Sequence, residues 1–484
     1  MKTNYPVLGM FLFMLTIAPG CQEKEAAISI QVFPDSVLNN VTNHPAGINV
    51  DYFMDDDNYL KPVIRTADAL KAMGVRYLRY PGGNKSDLYL FSVPPYEKSQ
   101  PTLARTGKGA VGYDRVIKNN AEYKYDVLDF DEFIEMCRET NCEPIVVVAA
   151  DEYLANYPPG ARVTNREGLI ENAVEWVRYA NIRKNYGVKY WMIGNECWHK
   201  NNENSTAEIY ARDVVDFSRA MKAVDPSIYT IPNGNSVEFC ETVLKNAGDY
   251  IDHFCISNYP VYEFKAGYAS YRDTLQDLMG PVKRALTAMS NAGVSKNMKL
   301  IIAEYGPFDW SYHWPMINDM GHALCNFEMT GEQLLSPIID FSCYWNTRWI
   351  DNDSVENSVY DAIDKNGRFN AIGYSLMIWG NYLGEKMVRT TGTIHIRSFA
   401  SYNPDEEMLY VYLVNKAEEN VPVKLSIEGR RMQSVERFGQ LTGAGPDDVD
   451  PVWQDNLQLP VKNLKALELP GVSISVLKLK LSKP

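Results

Sequence analysis

Eight short β-branched or aromatic runs, separated by longer amphipathic segments, fill residues 46–384 and leave this chain few folds to choose from. The runs are AGINVDYF, VRYLRYPGG, PIVVVAA, VKYWMIGNE, IYTIPNG, HFCISNY, KLIIAEYG and IDFSCYWN. Between them VIRTADALKAM, DFDEFIEMCRE, LIENAVEWVRYA and AEIYARDVVDFSRAMKAV space apolar residues by three and four, the helical period. Strands alternating with helices pair in parallel, and parallel strands are buried on both faces, which explains their near-continuous apolar character. Eight such units make a (β/α)8 TIM barrel. An open doubly wound sheet also alternates in this way, but it carries a glycine-rich first βα turn, and INVDYFMDDDNY has none.

Past residue 385 the pattern changes. MLYVYLVNK, VPVKLSIEG, VERFGQLTG and GVSISVLKLKL follow one another with polar turns and no helical segments, which predicts an antiparallel β-sandwich. AISIQVFPD, residues 27–35, is one more strand, placed to complete that sandwich from the other end of the chain. The expected fold class is therefore α/β: a TIM barrel over 46–384 and a C-terminal antiparallel β-sandwich over 385–484, completed by an N-terminal strand within 22–45. A chain of 484 residues exceeds the size at which a single core stops growing, in keeping with two domains. The sandwich has a single tryptophan, Trp453, which favours a structural role for it over glycan binding.

Residues 1–21 read as a targeting segment. Lys2 precedes an apolar run from Val7 to Ala18 that is too short to anchor a protein in a bilayer, as in a signal-peptide h-region. TIAPGC resembles a bacterial lipobox, which makes Cys21 the expected lipidation site and QEKEAA a tether. The expected location is the bacterial cell envelope, as a lipid-anchored outer-membrane lipoprotein, periplasmic or surface-exposed, touching the membrane only through its lipid.

A net charge of −13 disfavours nucleic acid, whose phosphates call for clustered Lys and Arg. A neutral or mildly cationic small-molecule or polymer partner fits better. The six histidines form no HExxH pair and no zinc-type spacing with cysteine, so no metal and no cofactor are expected. Of eight cysteines, the seven beyond Cys21 are an odd number, several in strand-like runs, and predict no disulfide framework.

Strands of a parallel barrel all end at one face, so residues just past those ends converge whatever their separation in sequence. Glu196 closes the fourth run and Glu304 the seventh. A carboxylate leaving an apolar strand must be solvated, paired or used. A lone one is commonly a salt-bridge or capping partner, but two on these strands suit retaining glycoside hydrolysis, where carboxyl groups ~5–5.5 Å apart act as acid/base and nucleophile.

LRYPGGN, IGNE and AEYG, on the second, fourth and seventh strands, resemble the clan A retaining glycoside hydrolases, and most closely the family 51 α-L-arabinofuranosidases. DALKAMGVRYLRYPGGN, DEFIEMCRETNCEPIVVV, YWMIGNE, SRAMKAVDPSI and PGVSISVLKL sit where that family has similar segments. The resemblance implies that Glu196 is the general acid/base and Glu304 the nucleophile. It further implies that Asn195 binds the sugar 2-hydroxyl, that Arg79 stands beside the nucleophile, and that Tyr259 holds it by a hydrogen bond. Trp345 ends the eighth strand, where many clan members stack a sugar. Asn84 closes the LRYPGGN motif, and Trp198 and Trp310 belong to an aromatic set with Trp314, Trp349, Tyr153, Tyr262 and Tyr312 near the same strand ends; flat rings of this kind suit a saccharide cleft.

Three departures bear on the substrate. Ser257 stands where the family carries His, AEYG replaces its usual nucleophile segment, and Cys197, Trp198 and His199 follow the acid/base in place of small residues. Bulk on the leaving-group side leaves an endo-β-glycanase of the agarase, xylanase or glucanase kind as an alternative. A non-catalytic glycan-binding surface lipoprotein is the alternative of another class.

Overall fold

The computed structural model describes residues 27–52, 54–95, 117–118, 122–123, 127–150, 165–199, 206–261, 263–294, 297–348 and 357–482. The expected targeting segment with Cys21, and Tyr153, Tyr262 and Trp349, lie outside them.

All eight predicted runs contain a strand. They are β2 (Ala46–Asn49), β3 (Tyr77–Tyr80), β4 (Glu143–Val148), β5 (Tyr190–Ile193), β6 (Tyr229–Ile231), β7 (His253–Asn258), β8 (Lys299–Tyr305) and β9 (Ile339–Tyr344), joined in chain order in one parallel sheet. The sheet closes between β6 and β7, where the Cys255 N–H donates to Pro232 O at 2.8 Å and the Gly234 N–H to Cys255 O at 3.2 Å. The strands are shorter than the apolar runs because each run extends past its strand into the loop at the mouth.

Alternation along each strand sorts its side chains. On β3, Tyr77 faces into the barrel and joins Ile145, Val147, Ile231, Ile301 and Phe341 in an interior cluster, while Leu78 and Tyr80 face the surrounding helices. Tyr77 stacks on Phe341 with centroids 4.1 Å apart. The inward position two residues further along is Arg79, so the apolar plug gives way to a polar layer at the carboxyl ends of the strands.

Among the described residues, the helical segments are α1 (Thr66–Met73), α2 (Phe130–Thr140), α3 (Arg166–Val177), α4 (Ala207–Val224), α5 (Val237–Ala247), α6 (Gly280–Ala292), α7 (Met320–Leu334) and α8 (Ala371–Asn381), beside shorter turns. Their starts follow local chemistry. Asp129 and Glu132 form a reciprocal capping box on α2, and the Thr206 hydroxyl accepts from the Ile209 N–H on α4.

The C-terminal strands β10 (Lys386–Thr390), β11 (Ile396–Asn403), β12 (Met408–Asn415), β13 (Val421–Ile427), β14 (Met432–Thr442), β15 (Val452–Gln454), β16 (Leu467–Leu469) and β17 (Ser473–Leu481) form a nine-stranded sheet with β1 (Ile28–Asn40). β1 does not cap an edge. It lies inside the sheet, antiparallel to β10 and parallel to β13. Leu425 and Leu469 near one end of the sheet share a buried cluster with Phe438 and Leu479 near the other, so the sheet folds over one core.

Its other face rests on the barrel. Trp379 of α8 stacks on Phe327 of α7 at 4.5 Å, meets Tyr412 of β12 at 4.4 Å and donates from Nε1 to Phe327 O at 3.0 Å. Beside them the buried carboxylate of Glu328 takes Arg397 at 2.7 Å and Tyr271 at 2.9 Å, a charge that tolerates burial because it is paired. Trp379 is fully buried, so Trp379→Ala should cost about 3–5 kcal/mol through lost burial and a residual cavity, read as a lowered midpoint in urea denaturation.

Candidate active site

The carboxyl ends of the barrel strands surround a cavity of about 650 Å³ whose lining includes Glu196, Glu304, Ser257, Tyr259, Trp198 and Trp345. Asn84 and Trp310 line it too. Arg79 and Asn195 lie just beneath, almost fully buried.

Arg79 holds the floor together. Its Nη1 donates to Glu304 Oε1 at 2.9 Å and to Asn49 Oδ1 at 2.7 Å, its Nη2 to Asn195 Oδ1 at 2.6 Å, and its Nε to Met192 Sδ at 3.2 Å. The arrangement spans the first, second, fourth and seventh barrel strands. Asn195 passes the chain of contacts outward, its Nδ2 donating to Asn84 Oδ1 at 3.2 Å. Tyr259 donates to Glu304 Oε2 at 3.0 Å, so both oxygens of that carboxylate are held. Burial and the Glu304 charge raise the Tyr259 hydroxyl well above its usual range, which keeps it a neutral donor.

Strict alternation would aim Glu304 at the helices, because Ile301 and Ala303 already point inward. A β-bulge prevents this. The register of β8 on β7 runs from Ile302 opposite Ile256 directly to Glu304 opposite Ser257, and the extra residue turns Glu304 into the mouth.

Glu196 is placed by a turn. Gly194 at φ 71° and Glu196 at φ 44° both adopt left-handed backbone, which a side-chain-bearing residue rarely does unless its surroundings impose it. Asn233, past the end of β6, imposes it. Its Nδ2 donates to Ile193 O at 3.2 Å and Gly194 O at 3.0 Å, and its Oδ1 accepts from the Cys197 N–H at 2.8 Å.

The Glu196 carboxyl is pushed up to about 7, mainly by burial and then by the Glu304 charge; the Ser257 hydroxyl, which donates to it at 2.7 Å, and the Arg79 guanidinium both oppose the rise. The two glutamates thus differ in their surroundings. Glu304 is ion-paired, while Glu196 sits in a pocket that favours its protonated form.

Ser257, noted in the sequence only as a departure, proves to be the direct partner of Glu196. Asn49 and Asn233 were missed; the available signal was an amide side chain at the end of an apolar run, in AGIN and IPNG. Gly83 serves by its lack of a side chain, since a Cβ there would fall 2.4 Å from the Trp345 ring. Trp314 does not belong to the cleft. It is buried and stacks on His322 at 3.9 Å, and Tyr312 is strongly exposed.

A carboxyl held near 7 in the fold and 4.5 when free contributes stability that is full below about pH 4.5 and is lost as pH rises through about 7, because the unfolded chain ionises first. Glu196→Gln, neutral throughout, should therefore gain on the order of 1–3 kcal/mol over the parent at pH 8 and little at pH 4. Thermal melts at the two pH values check this, and an equal gain at both would contradict the burial of a titrating group.

The family model described as the alpha-L-arabinofuranosidase 1 domain matches residues 69–277, which run from α1 past β7 and include Arg79, Asn195, Glu196 and Tyr259. An alpha-L-arabinofuranosidase C from Emericella nidulans is 31% identical over 197 residues, 37% of this chain and 32% of that protein. An intracellular exo-alpha-(1->5)-L-arabinofuranosidase from Acetivibrio thermocellus is 28% identical over 226 residues, 42% of this chain and 40% of that protein. The matched stretches thus span about a third to two fifths of these relatives' lengths. In three dimensions a family 51 alpha-L-arabinofuranosidase from Thermotoga petrophila superposes with a TM-score of 0.68 at 20% identity, covering 93% of this chain and 99% of the other. In sequence over much of its barrel the chain is similar to the α-L-arabinofuranosidases, and in fold over nearly its whole length it is similar to a family 51 α-L-arabinofuranosidase structure.

Proposed function

We propose that the protein is a retaining glycoside hydrolase of α-L-arabinofuranosidase type, acting on plant or algal polysaccharides or their oligosaccharides. The observation that carries this reading is the asymmetry of two glutamates in one cavity, with Glu304 bound by Arg79 and Tyr259 and Glu196 pushed up to about 7. A binding-only protein has no use for such a pair.

In the first step a Glu304 oxygen attacks the anomeric carbon as the bond to the leaving oxygen breaks, and Glu196 gives that oxygen its proton. In the second, water attacks the same carbon, Glu196 takes a proton from it, and the ester to Glu304 breaks, restoring both groups. In this reading Asn195, oriented from below by Arg79, binds the sugar hydroxyl beside the reacting carbon, and Trp345, which lines the cavity, offers it a flat wall.

An endo-β-glycanase is the second reading. It is favoured by Trp198 and His199, which line the cavity immediately after the acid/base. We also propose, from the sequence alone, that Cys21 is lipidated and tethers the enzyme to the cell envelope.

Hydrolysis of aryl glycosides and intact polysaccharides tests the reading. Release from an aryl α-L-arabinofuranoside, with covalent labelling by a cyclitol epoxide or aziridine lost in Glu304→Gln, is the expected result; turnover of polymers alone would favour the glycanase, and silence throughout would refute hydrolysis. Glu196→Gln should lower kcat about 10²–10⁴-fold on substrates with poor leaving groups. The basic limb of the pH–rate profile should lie near about pH 7 and move upward in Ser257→Ala, because removing a donor to the charged form raises the carboxyl further.

A further inference from the structure

The cavity carries a cation for which the reading above has no role. Arg284, in the second turn of α6, lines it together with Glu196 and Asn235. Its Nε donates to Asn235 O at 3.3 Å and its Nη2 to Asn235 Oδ1 at 3.1 Å. Among the described residues it makes no ion pair. Asp277, in the loop just before α6, is bound instead by Lys283 at 2.7 Å.

A guanidinium has five N–H donors and accepts nothing. Asn235 engages two of them and fixes the plane of the group, leaving the Nη1 side to be matched. The ligand that matches a planar fork of donors is a planar or tetrahedral oxyanion. A neutral sugar hydroxyl would use one donor and none of the charge.

The position indicates which part of a substrate is read. Asn235 lies two residues beyond Asn233, which holds the turn carrying Glu196, so Arg284 stands on the acid/base side of the cleft, where the leaving group departs. We infer that Arg284 is a specificity-determining residue that recognises an anionic substituent, a carboxylate or a sulfate ester, on the leaving-group portion of the substrate. The inference rests on the glycoside hydrolase reading for the assignment of sides, though anion recognition itself requires no turnover.

Binding can be followed by quenching of intrinsic tryptophan fluorescence, since Trp198, Trp310 and Trp345 line the cavity. The probes are matched pairs: xylotriose and its glucuronosyl-substituted form, and neoagarotetraose and its 6-sulfated form. In 20 mM salt at least one anionic member should bind about tenfold more tightly than its neutral partner, and which pair shows the preference distinguishes carboxylate from sulfate. The preference should shrink at 0.5 M salt, vanish in Arg284→Gln and survive in part in Arg284→Lys. Equal binding within both pairs, or a preference that persists in Arg284→Gln, would overturn the inference. Hydrolysis of neutral aryl glycosides by the parent protein is scored separately. An Arg284-dependent preference without any hydrolysis would remove the enzyme reading and retain the anion site; hydrolysis without a preference would do the reverse.

Discussion

The guanidinium of Arg79 is the constraint on which the site depends. It lies almost fully buried above the apolar plug of the barrel, and a buried charge persists only where it is paired and its donors are used. Arg79 meets that condition with Asn49, Asn195 and Glu304, one partner each from the first, fourth and seventh strands. The same contacts that make its burial tolerable fix the floor of the cavity, so fold and site share one network.

From that network follows the difference between the two carboxyl groups. Glu304 has Arg79 and Tyr259 on its two oxygens, whereas among the described residues Glu196 has a single neutral hydroxyl from Ser257. Two like charges in one cavity resist simultaneous ionisation, and Glu196 is the carboxyl without a cation on its oxygens among the described residues. Burial first and the Glu304 charge second push Glu196 up to about 7, and Arg79, whose donors go to other groups, opposes that rise only from a distance.

Much of this was legible in the chain. The eight runs, their order and the change of pattern after residue 385 predicted a barrel and a second β domain because hydrophobic period and length are local properties. Glu196 and Glu304 could be singled out because each stands at the carboxyl end of a run, and those ends converge in any parallel barrel, whereas Arg79, Asn195 and Tyr259 were implied by the family resemblance. Asn49 and Asn233 escaped notice because an amide at a strand end looks like an ordinary turn residue; their importance lies in backbone and side-chain partners 23 to 295 residues away. Trp314 stands near a strand end in sequence like the cleft aromatics, yet the turn at Tyr312, φ 58°, precedes its burial against His322.

By itself the sequence determined the class of fold, the strand order and the residue types at the mouth, since each depends on periodicity and on which side chains end an apolar run. Tertiary structure decided how those side chains point and what surrounds them. The bulge that turns Glu304 inward, the left-handed turn at Glu196 and the insertion of β1 into the middle of the second sheet all arise from pairing between distant segments. The geometry of such pairing, and the electric field it creates around each carboxyl, belongs to neither segment alone.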